Sequence, residues 1–546
     1  MNETVDHKTE RKNDSSRILD SIHPKKVIVA GPGTGKSFLF QEAIKRKKKD
    51  GKKNFLAITF IGKLCDELAD DLAGLAQTMT LHGFARDFLL NKCPKGWEYY
   101  PRMYNLIKDD LAIKGISDFE IGDKNYEDRT KHYKAVGDDD VVYYSVEICK
   151  KDPNKIPAYD LILIDEFQDF NEKEAELIDL LASKNEILIV GDDDQALYEF
   201  KGSFSKFIRS KYDKSNTDFE SHTLKYCSRC TPVIIDAFHS VVSFYKTKGL
   251  LNNRIDDKKY ICYTPDKSDD GLLNPKILLV ENIVPGAVPM KIRSELFSIS
   301  HEQKIKSVLV IGEGRTCKKT LETIARRLRE FGFKDVKNSN NHHKAFAFDQ
   351  GIIAGYKILN KGENDIFAWR IIIDKMSDQK KKKVISDNYD NVEDFINAIP
   401  KKFKDAHTKT ANTLKGILSK TESSRKQIAS SSIEKLQKEI VIEEKEKRNI
   451  LIDQLIEDNI HVPRPLANMD ITVCSILGSK GLGADVVFLV GFDQGKLPMR
   501  KDAEDSEVYQ LLVALTRAKK RIYLFNTTGK QISSFSESMK NFIEKI

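Results

Sequence analysis

The first residues that could do chemistry form a glycine-rich loop near the amino terminus. The apolar run Val27–Val29 leads into Ala30-Gly31-Pro32-Gly33-Thr34-Gly35-Lys36-Ser37, and a helical pattern follows. Glycines let backbone N–H groups surround a phosphate without Cβ clashes, and the helix N-terminus adds partial positive charge. In such a loop the lysine reaches the β- and γ-phosphates of a nucleotide, and the serine hydroxyl ligates Mg²⁺. Ala30 stands where the strict pattern has glycine, but strand, loop and helix together predict a phosphate site at residues 30–37.

An acidic pair supplies the second half of a nucleotide site. Asp165 and Glu166 directly follow the apolar run Leu161–Ile164. In NTP hydrolysis one such carboxylate holds Mg²⁺, and its neighbour polarises the attacking water. The alternative is a strand that ends in a solvated acidic turn, which the glycine-rich loop disfavours. We therefore predict Ser37 and Asp165 as Mg²⁺ ligands and Glu166 as the carboxylate that activates water.

These residues need parallel sheets to bring them together. Short β-branched runs, each followed by a loop and a helical pattern, recur in both halves of the chain. Such runs are typical of strands buried on both faces of a parallel sheet, and two groups of them predict two α/β cores. Two stretches, residues 91–155 and 373–465, lack this alternation of strand and helix, and we predict that they form mainly helical insertions. The predicted boundaries are 1–90 with 156–215 for the first core, 91–155 for the first insertion, 216–372 with 466–546 for the second core, and 373–465 for the second insertion.

Composition narrows the class of protein. Of the 546 residues 40% are hydrophobic and 32% are charged, which excludes a disordered chain and a disulfide miniprotein. No apolar run approaches the ~20 residues that span a bilayer, and residues 1–21 lack a secretory pattern, so we expect a cytoplasmic protein without a membrane partner. The eight cysteines show no framework spacing, which fits a reducing compartment. The charge of 90 − 82 = +8 permits a nucleic-acid partner without establishing one.

Four further segments carry a family resemblance. They are Asp165-Glu166-Phe167-Gln168-Asp169-Phe170-Asn171, the run from Gly191 to Gly202, the run from Ser479 to Gly491, and Val513-Ala514-Leu515-Thr516-Arg517-Ala518-Lys519. With the glycine-rich loop they stand in the order of the motifs of UvrD/Rep/PcrA-like superfamily 1 helicases, which this chain resembles between residues 27 and 525. The resemblance implies a P-loop NTPase with two RecA-like cores and ATP between them. It also implies 3′→5′ translocation on single-stranded DNA, with duplex unwinding, DNA repair and phage defence as candidate extensions.

The resemblance implies roles for five residues of the later motifs at the ATP site. Arg229 and Arg517 match the two family arginines that reach the γ-phosphate as arginine fingers. Gln195 matches the glutamine that senses the γ-phosphate, and Gln168 and Gly481 fall among the nucleotide contacts. The remaining members of the expected catalytic set are Lys36, Asp165 and Glu166.

On the DNA side, the resemblance implies contacts by stacking and by phosphate binding. Phe200 matches an aromatic residue that stacks between bases, which is worth about 1–3 kcal/mol per base and is independent of base identity. Each aromatic residue has the alternative of a core position. The expected DNA-binding residues are Phe60, Lys63, His82, Tyr198, Phe200 and Lys201.

The chain departs from the family pattern where the base is read. Ser228 replaces the tyrosine that precedes the arginine, and no clear glutamine occurs between Lys12 and Pro24. We therefore hypothesise weaker nucleotide selectivity than in a typical member. Cys227 and Cys230 lack a second cysteine pair, so they are expected to be buried thiols rather than zinc ligands.

Two other functions are candidates. One is a nucleic-acid-gated NTPase that acts as a sensor or regulatory subunit without unwinding DNA, and it shares every ATP residue with the motor. The other is an interaction scaffold with an inactive nucleotide site, which the presence of Lys36, Asp165, Glu166 and Arg517 disfavours. Compact members of the family occur as stand-alone subunits. A separate nuclease or another protein subunit is therefore a candidate partner beside single-stranded or partly single-stranded DNA.

Overall fold

The secondary structure alternates between strands and helices in most of the described chain. The computed structural model describes residues 7–91, 97–197, 205–256, 258–333, 335–338, 352–387, 390–422 and 469–546. The strands are β1 (Lys25–Ala30), β2 (Phe55–Thr59), β3 (Gln77–Thr80), β4 (Glu98–Tyr99), β5 (Ala135–Val136), β6 (Leu161–Ile164), β7 (Ile187–Gly191), β8 (Glu220–Leu224), β9 (Tyr226–Cys227), β10 (Ile261–Cys262), β11 (Ile277–Ile283), β12 (Ser307–Gly312), β13 (Val336–Asn338), β14 (Asp470–Ser475), β15 (Ala484–Val490), β16 (Ala518–Thr527) and β17 (Ile543–Lys545).

The α-helices vary from one turn to six turns in length. They are α1 (His7–Asp20), α2 (Lys36–Lys49), α3 (Gly62–Leu72), α4 (Leu81–Leu90), α5 (Met103–Ile113), α6 (Lys124–Tyr133), α7 (Asp138–Lys151), α8 (Glu172–Ala182), α9 (Lys206–Tyr212), α10 (Pro232–Thr247), α11 (Thr264–Leu273), α12 (Val288–Glu302), α13 (Lys318–Glu330), α14 (352–359), α15 (Ile366–Ile372), α16 (Asp378–Asp387), α17 (Val392–Ala398), α18 (Lys401–Glu422), α19 (Asp505–Leu515) and α20 (Phe535–Ser538). No described helix is both long enough and apolar enough to cross a membrane.

The first sheet is parallel and has six strands in the order β3-β2-β6-β7-β1-β8. Strands β2, β6 and β7 are buried along their whole length, as expected for apolar runs covered on both faces. In the parallel register Val29 lies opposite Gly191, and Ile164 lies opposite Ile189. The loops that follow β1, β6 and β7 therefore leave the sheet at the same edge, which brings the glycine-rich loop and the acidic pair together.

The second sheet is also parallel, with seven strands in the order β13-β14-β12-β15-β16-β11-β17. Its central strands β12 and β15 are almost fully buried. The segment 477–483 leads into β15, and Arg517 immediately precedes β16. Since Ala484 pairs with Ala518, both segments lie at the same edge of this sheet. The expected α/β fold with two parallel-sheet cores is confirmed.

The chain divides into two compact units. The two-sheet unit contains both sheets and comprises residues 1–81, 152–341 and 459–546. The other, which we call the helical unit, comprises residues 82–151 and 342–458. The first sheet includes β8, so it extends beyond residue 215, where the sequence analysis ended the first core.

Residues 352–372 also differ from their expected place in the second sheet core. They contain two helices, and Phe367, Trp369 and Ile372 share an apolar core with Tyr100 and Met103 of the helical unit.

Candidate nucleotide site

The glycine-rich loop joins β1 to α2 with two residues in the left-handed region. Gly33 has φ +68° and Gly35 has φ +93°, conformations that only glycine adopts without strain. Thr34 is buried, and its Oγ1 donates to the carbonyl of Gly31 at 2.9 Å, which closes the turn. Ala30 ends β1 as a buried residue, and Ser37 lies half-buried in the first turn of α2. The loop thus has the shape of a phosphate cradle.

Lys36 connects this loop to the acidic pair. Its Nζ lies 2.5 Å from Glu166 Oε1 and 3.7 Å from Asp165 Oδ1. Burial would lower the pKa of Lys36, but the carboxylates of Glu166 and Asp165 outweigh it and raise that pKa. Lys36 is therefore charged at neutral pH.

The pKa values of the two carboxylates of the pair shift in opposite directions. Burial raises the pKa of Asp165 against the opposing effect of Lys36. Burial acts on Glu166 in the same direction, but the ammonium groups of Lys36 and Lys480 hold its pKa well below the usual range. Glu166 is therefore ionised, as an acceptor of a proton or hydrogen bond from water must be.

Glu166 is held in an unusual backbone conformation. Its φ of +54° lies in the left-handed region, which costs a non-glycine residue about 1 kcal/mol or more. Its Oε2 accepts a hydrogen bond from Gln168 Nε2 at 2.6 Å, and Gln168 Oε1 accepts one from the N–H of Asp192 at 2.9 Å. Gln168 thus connects the loop after β6 to the loop after β7.

Gln195 connects the two sheet cores. Its Nε2 donates to Asp192 Oδ2 at 2.7 Å, and its Oε1 accepts from Arg517 Nη2 at 3.1 Å. Asp192 follows β7 of the first sheet, whereas Arg517 precedes β16 of the second. The amide of Gln195 therefore joins the two sheet cores through its donor end and its acceptor end.

Arg517 is a buried cation that makes no ion pair with the described part of the chain. It is 1% exposed, and its remaining hydrogen bonds go to the carbonyls of Val513 and Leu482 and to a hydroxyl. No carboxylate of the described residues forms an ion pair with it. Burial and the nearby charge of Arg229 lower the pKa of Arg517 to about 9. The site thus holds a guanidinium whose charge an anionic ligand would stabilise.

Arg229 lies on the turn that touches the phosphate loop. A Cβ on Gly33 would lie 2.3 Å from Arg229 Cβ, and the N–H of Ser228 donates to the carbonyl of Gly33 at 2.9 Å. Arg229 is half-buried, and its side chain passes Gly483, where a Cβ would lie 3.4 Å from its Nε. Of the two expected arginine fingers, Arg229 therefore lies against the glycine-rich loop, and Arg517 contacts Gln195.

Lys480 is a site residue that the sequence analysis did not single out. Its Nζ donates to Asp169 Oδ1 at 2.7 Å and to the carbonyl of Gln195 at 2.6 Å, and it lies 3.8 Å from Glu166 Oε2. The neighbouring Gly481 has φ +82° and packs so closely on Leu64 of α3 that a Cβ would lie 2.2 Å from its Cδ2. Its place in the motif after Ser479 was the only signal for Lys480, because its partners are distant in the chain.

The residues expected to hold Mg²⁺ fit a hard divalent cation. Asp165 Oδ1 is buried and accepts no hydrogen bond from any described residue. Carboxylate and hydroxyl oxygens, here those of Asp165 and Ser37, are the ligands that Mg²⁺ prefers in such sites. When bound there, Mg²⁺ would supply positive charge to the β- and γ-phosphates.

The expected DNA contacts are only partly within the described structure. Phe60 lies half-buried after β2 and packs edge-on against Phe170 with ring centroids 5.5 Å apart. His82 lies half-buried in the first turn of α4. The side chain of Lys63 and all of Tyr198, Phe200 and Lys201 lie outside the described residues.

Comparison with known families agrees with this geometry. Residues 17–201 match the model of an AAA domain, which includes the glycine-rich loop, the acidic pair and Gln195. Residues 140–529, more than half of the chain, match the UvrD-like helicase C-terminal domain. The chain belongs to the UvrD-like helicase family.

Individual relatives are distant in sequence. The ATP-dependent DNA helicase PcrA of Staphylococcus aureus is 24% identical over 327 residues, which cover 48% of this chain and 44% of the relative. The probable DNA helicase II homologue of Mycoplasma capricolum is 25% identical over 415 residues, 68% of this chain and 56% of the relative. The matched regions thus span about half the length of these UvrD-like relatives.

Proposed function

We propose that this chain is an ATP-driven motor that moves 3′→5′ along single-stranded DNA and unwinds the duplex it meets. The observation that carries this proposal is the buried Arg517, which faces the phosphate loop through Gln195 without a carboxylate partner. A buried charge without a counter-ion is costly, so such a residue is best explained by an anionic ligand. A γ-phosphate bound by the loop is the ligand that the neighbouring residues are built to hold.

Each residue of the site has a separate proposed role in hydrolysis. Lys36 and the backbone N–H groups of residues 33–36 bind the β- and γ-phosphates, and Glu166 orients the attacking water and accepts its proton. Arg229 and Arg517 stabilise the charge that develops on the transferred phosphoryl group. Arg517 precedes a strand of the second sheet, and Gln195 follows a strand of the first. Loss of the γ-phosphate therefore removes an anion that holds the two cores together. Opening and closing of this contact is the proposed power stroke.

DNA as the track is supported by the family and by the relatives' names. PcrA of Staphylococcus aureus is described as an ATP-dependent DNA helicase, and the 3′→5′ polarity follows from the resemblance to that class. Phe60, His82, Lys63, Tyr198, Phe200 and Lys201 are the proposed DNA-binding residues. We further propose a role in DNA repair or in defence against phage, and a nuclease gene beside this one would favour the second.

The decisive experiment measures ATP turnover and strand displacement in the same preparation. ATPase is assayed without nucleic acid and with single-stranded DNA, duplex DNA and RNA, and displacement is assayed on duplexes with a 3′ or a 5′ tail. We expect stimulation by single-stranded DNA and displacement from the 3′ tail. Lys36→Ala should abolish both, because it removes the ammonium that reaches the phosphates, whereas Lys45→Ala on the exposed face of α2 should change neither.

Each result separates the candidate functions. DNA-stimulated turnover without displacement or translocation would replace the motor by a nucleic-acid-gated NTPase. Displacement from the 5′ tail alone would reverse the polarity. Wild-type turnover by Lys36→Ala would remove the glycine-rich loop from the mechanism.

A further inference from the structure

The loop between α10 and β10 reaches the nucleotide site, although it belongs to none of the motifs described above. Its residues Arg254, Lys258 and Tyr260 are all buried. Arg254 Nε donates to Asp194 Oδ1 at 2.8 Å, and the N–H of Ile255 donates to Asp193 Oδ2 at 3.0 Å. The loop is therefore attached to the segment that follows β7.

Lys258 neutralises a buried cluster of three carboxylates. The carboxylate oxygens of Asp192, Asp193 and Asp194 lie within 4.8 Å of one another. Lys258 Nζ lies 2.9 Å from Asp192 Oδ1 and 2.8 Å from Asp194 Oδ2, and it also contacts Asp193. Arg254 and Arg209 add ion pairs to Asp194 and Asp193. Three cations thus balance three carboxylates, which makes the cluster an anchor of fixed geometry.

Tyr260 contacts the phosphate loop and the carboxylate cluster together. Its hydroxyl donates to Asp192 Oδ1 at 2.8 Å. Its ring lies over Gly31 so closely that a Cβ there would be 2.3 Å from Cζ. Behind it, the ring packs against Phe238 with centroids 5.6 Å apart, and the carbonyl accepts a hydrogen bond from His239 Nε2 at 2.8 Å. Tyr260 is therefore fixed to α10 while its polar end reaches the first sheet.

The carboxylate of Asp192 connects Tyr260 to Gln195. One oxygen accepts from Tyr260 and Lys258, and the other accepts from Gln195 Nε2. An amide can turn over and exchange its donor and acceptor ends. Because Asp192 can only accept, the NH₂ group must face Asp192 and the carbonyl oxygen must face Arg517.

We propose that Tyr260 is a positioning residue for ATP hydrolysis, which holds Asp192, and through it the amide of Gln195, in place and packs against the first glycine of the phosphate loop. The inference rests on the proposed hydrolytic function and names a residue outside the motifs of that site. Loss of the hydroxyl removes one of the three donors to Asp192 Oδ1 and leaves Lys258 and the N–H of Asp194. The carboxylate is then held less firmly, so the amide of Gln195 is positioned less accurately against Arg517.

Tyr260→Phe tests the hydroxyl alone because it keeps the ring over Gly31. With saturating single-stranded DNA, we expect kcat for ATP to fall by about tenfold, the order expected when a hydrogen bond to a charged group is lost. KM for ATP and the Kd of a fluorescent ATP analogue should stay within about twofold, since Lys36 and the loop amides are untouched. Tyr245→Phe is the matched control, because Tyr245 lies buried on α10 in the same apolar core and does not contact the cluster.

A double-mutant cycle with Gln195→Ala identifies the route of the effect. If Tyr260 acts through Gln195, Tyr260→Phe should cost little further kcat once the amide is absent. A second tenfold loss in that background would overturn the inference, as would a large fall in Tm with kcat, KM and Kd changing together. An active wild type with an equally active Tyr260→Phe would overturn this inference alone. A wild type without any ATP turnover would overturn the proposed function and the inference with it.

Discussion

Two buried arginines, one in each unit, have opposite electrostatic surroundings. Arg370 of the helical unit pairs with Asp110 at 2.7 Å and Asp374 at 2.8 Å, and these carboxylates outweigh burial and raise its pKa. Arg517 of the two-sheet unit has carbonyl and amide partners, and burial together with Arg229 lowers its pKa to about 9. Both side chains are essentially inaccessible to water.

The difference separates a structural charge from a functional one. The ion pairs of Arg370 are complete within the protein, so removing the arginine leaves a buried carboxylate without its partner. Arg517 has no ion-pair partner among the described residues, so its replacement by an apolar residue leaves none of their carboxylates without a direct partner. Residue type and burial are the same, and only the partners distinguish the two roles.

The largest effect is expected from Arg517→Met. We expect DNA-stimulated ATP hydrolysis to fall by about 10³-fold or more, as for the loss of an arginine finger. Thermal stability should stay the same or rise, because methionine fills the space without a buried charge. Phosphate release and Tm are measured together, with the exposed Arg500→Met as control. A fall in Tm comparable to that of an Arg370 variant would make Arg517 structural and remove the comparison.

Glu166→Gln tests the anionic side of the same site. The amide keeps the shape of the side chain but polarises water poorly, so we expect hydrolysis to fall by about 10²-fold or more. Binding of a fluorescent ATP analogue should persist, since the phosphate loop is unchanged. Glu172→Gln, at the exposed start of α8, is the control. Loss of both binding and hydrolysis would assign Glu166 a structural role.

Arg370→Met should have the opposite signature to Arg517→Met. We expect a loss of about 3–5 kcal/mol in the unfolding free energy, because Asp110 is left buried without its cation. Urea titration followed by circular dichroism measures this change. Replacing Asp110 with asparagine in the same chain should restore part of the stability. An Arg370→Met protein as stable as the wild type would show that a complete ion pair is not needed there.

The smallest expected effect is a loss of stability in acid. Burial lowers the pKa of His132 and of His407 to about 4, below the value of about 6.5 in an unfolded chain. Between these values the unfolded state binds more protons, so the stabilising contribution is present above about pH 6.5 and is lost as the pH falls towards 4. Melting curves at pH 7.5 and 5.0 should differ less for His407→Gln than for the wild type. An unchanged difference would exclude His407 as a source of the acid sensitivity.

The sequence was most informative where the chemistry lies within a few neighbouring residues. The loop ending in Lys36-Ser37 and the pair Asp165-Glu166 directly follow the apolar strands β1 and β6. Both strands are parallel to β7, which lies between them, so the loop and the pair lie at one sheet edge. Lys480 and Asp169, by contrast, are 311 residues apart, so no local spacing predicts their ion pair.

The helical unit was harder to delimit for a related reason. Residues 352–372 contain apolar runs like those of the sheet cores, and it is their packing against Tyr100 and Met103 that shows that they belong with the first insertion. An apolar segment shows that it will be buried, but its partner depends on tertiary contacts. The sequence therefore predicted both sheets but misplaced this stretch.

The contact between Gly33 and Arg229 has a consequence for handling the protein. The phosphate loop and the arginine-bearing turn approach until backbone meets backbone, with space for a hydrogen atom but none for a methyl group. A substituent as small as the side chain of alanine would act as a spacer that separates the two surfaces. Gly33→Ala would therefore push the arginine-bearing turn away from the loop, and it would also strain the loop itself, because Gly33 has φ +68°.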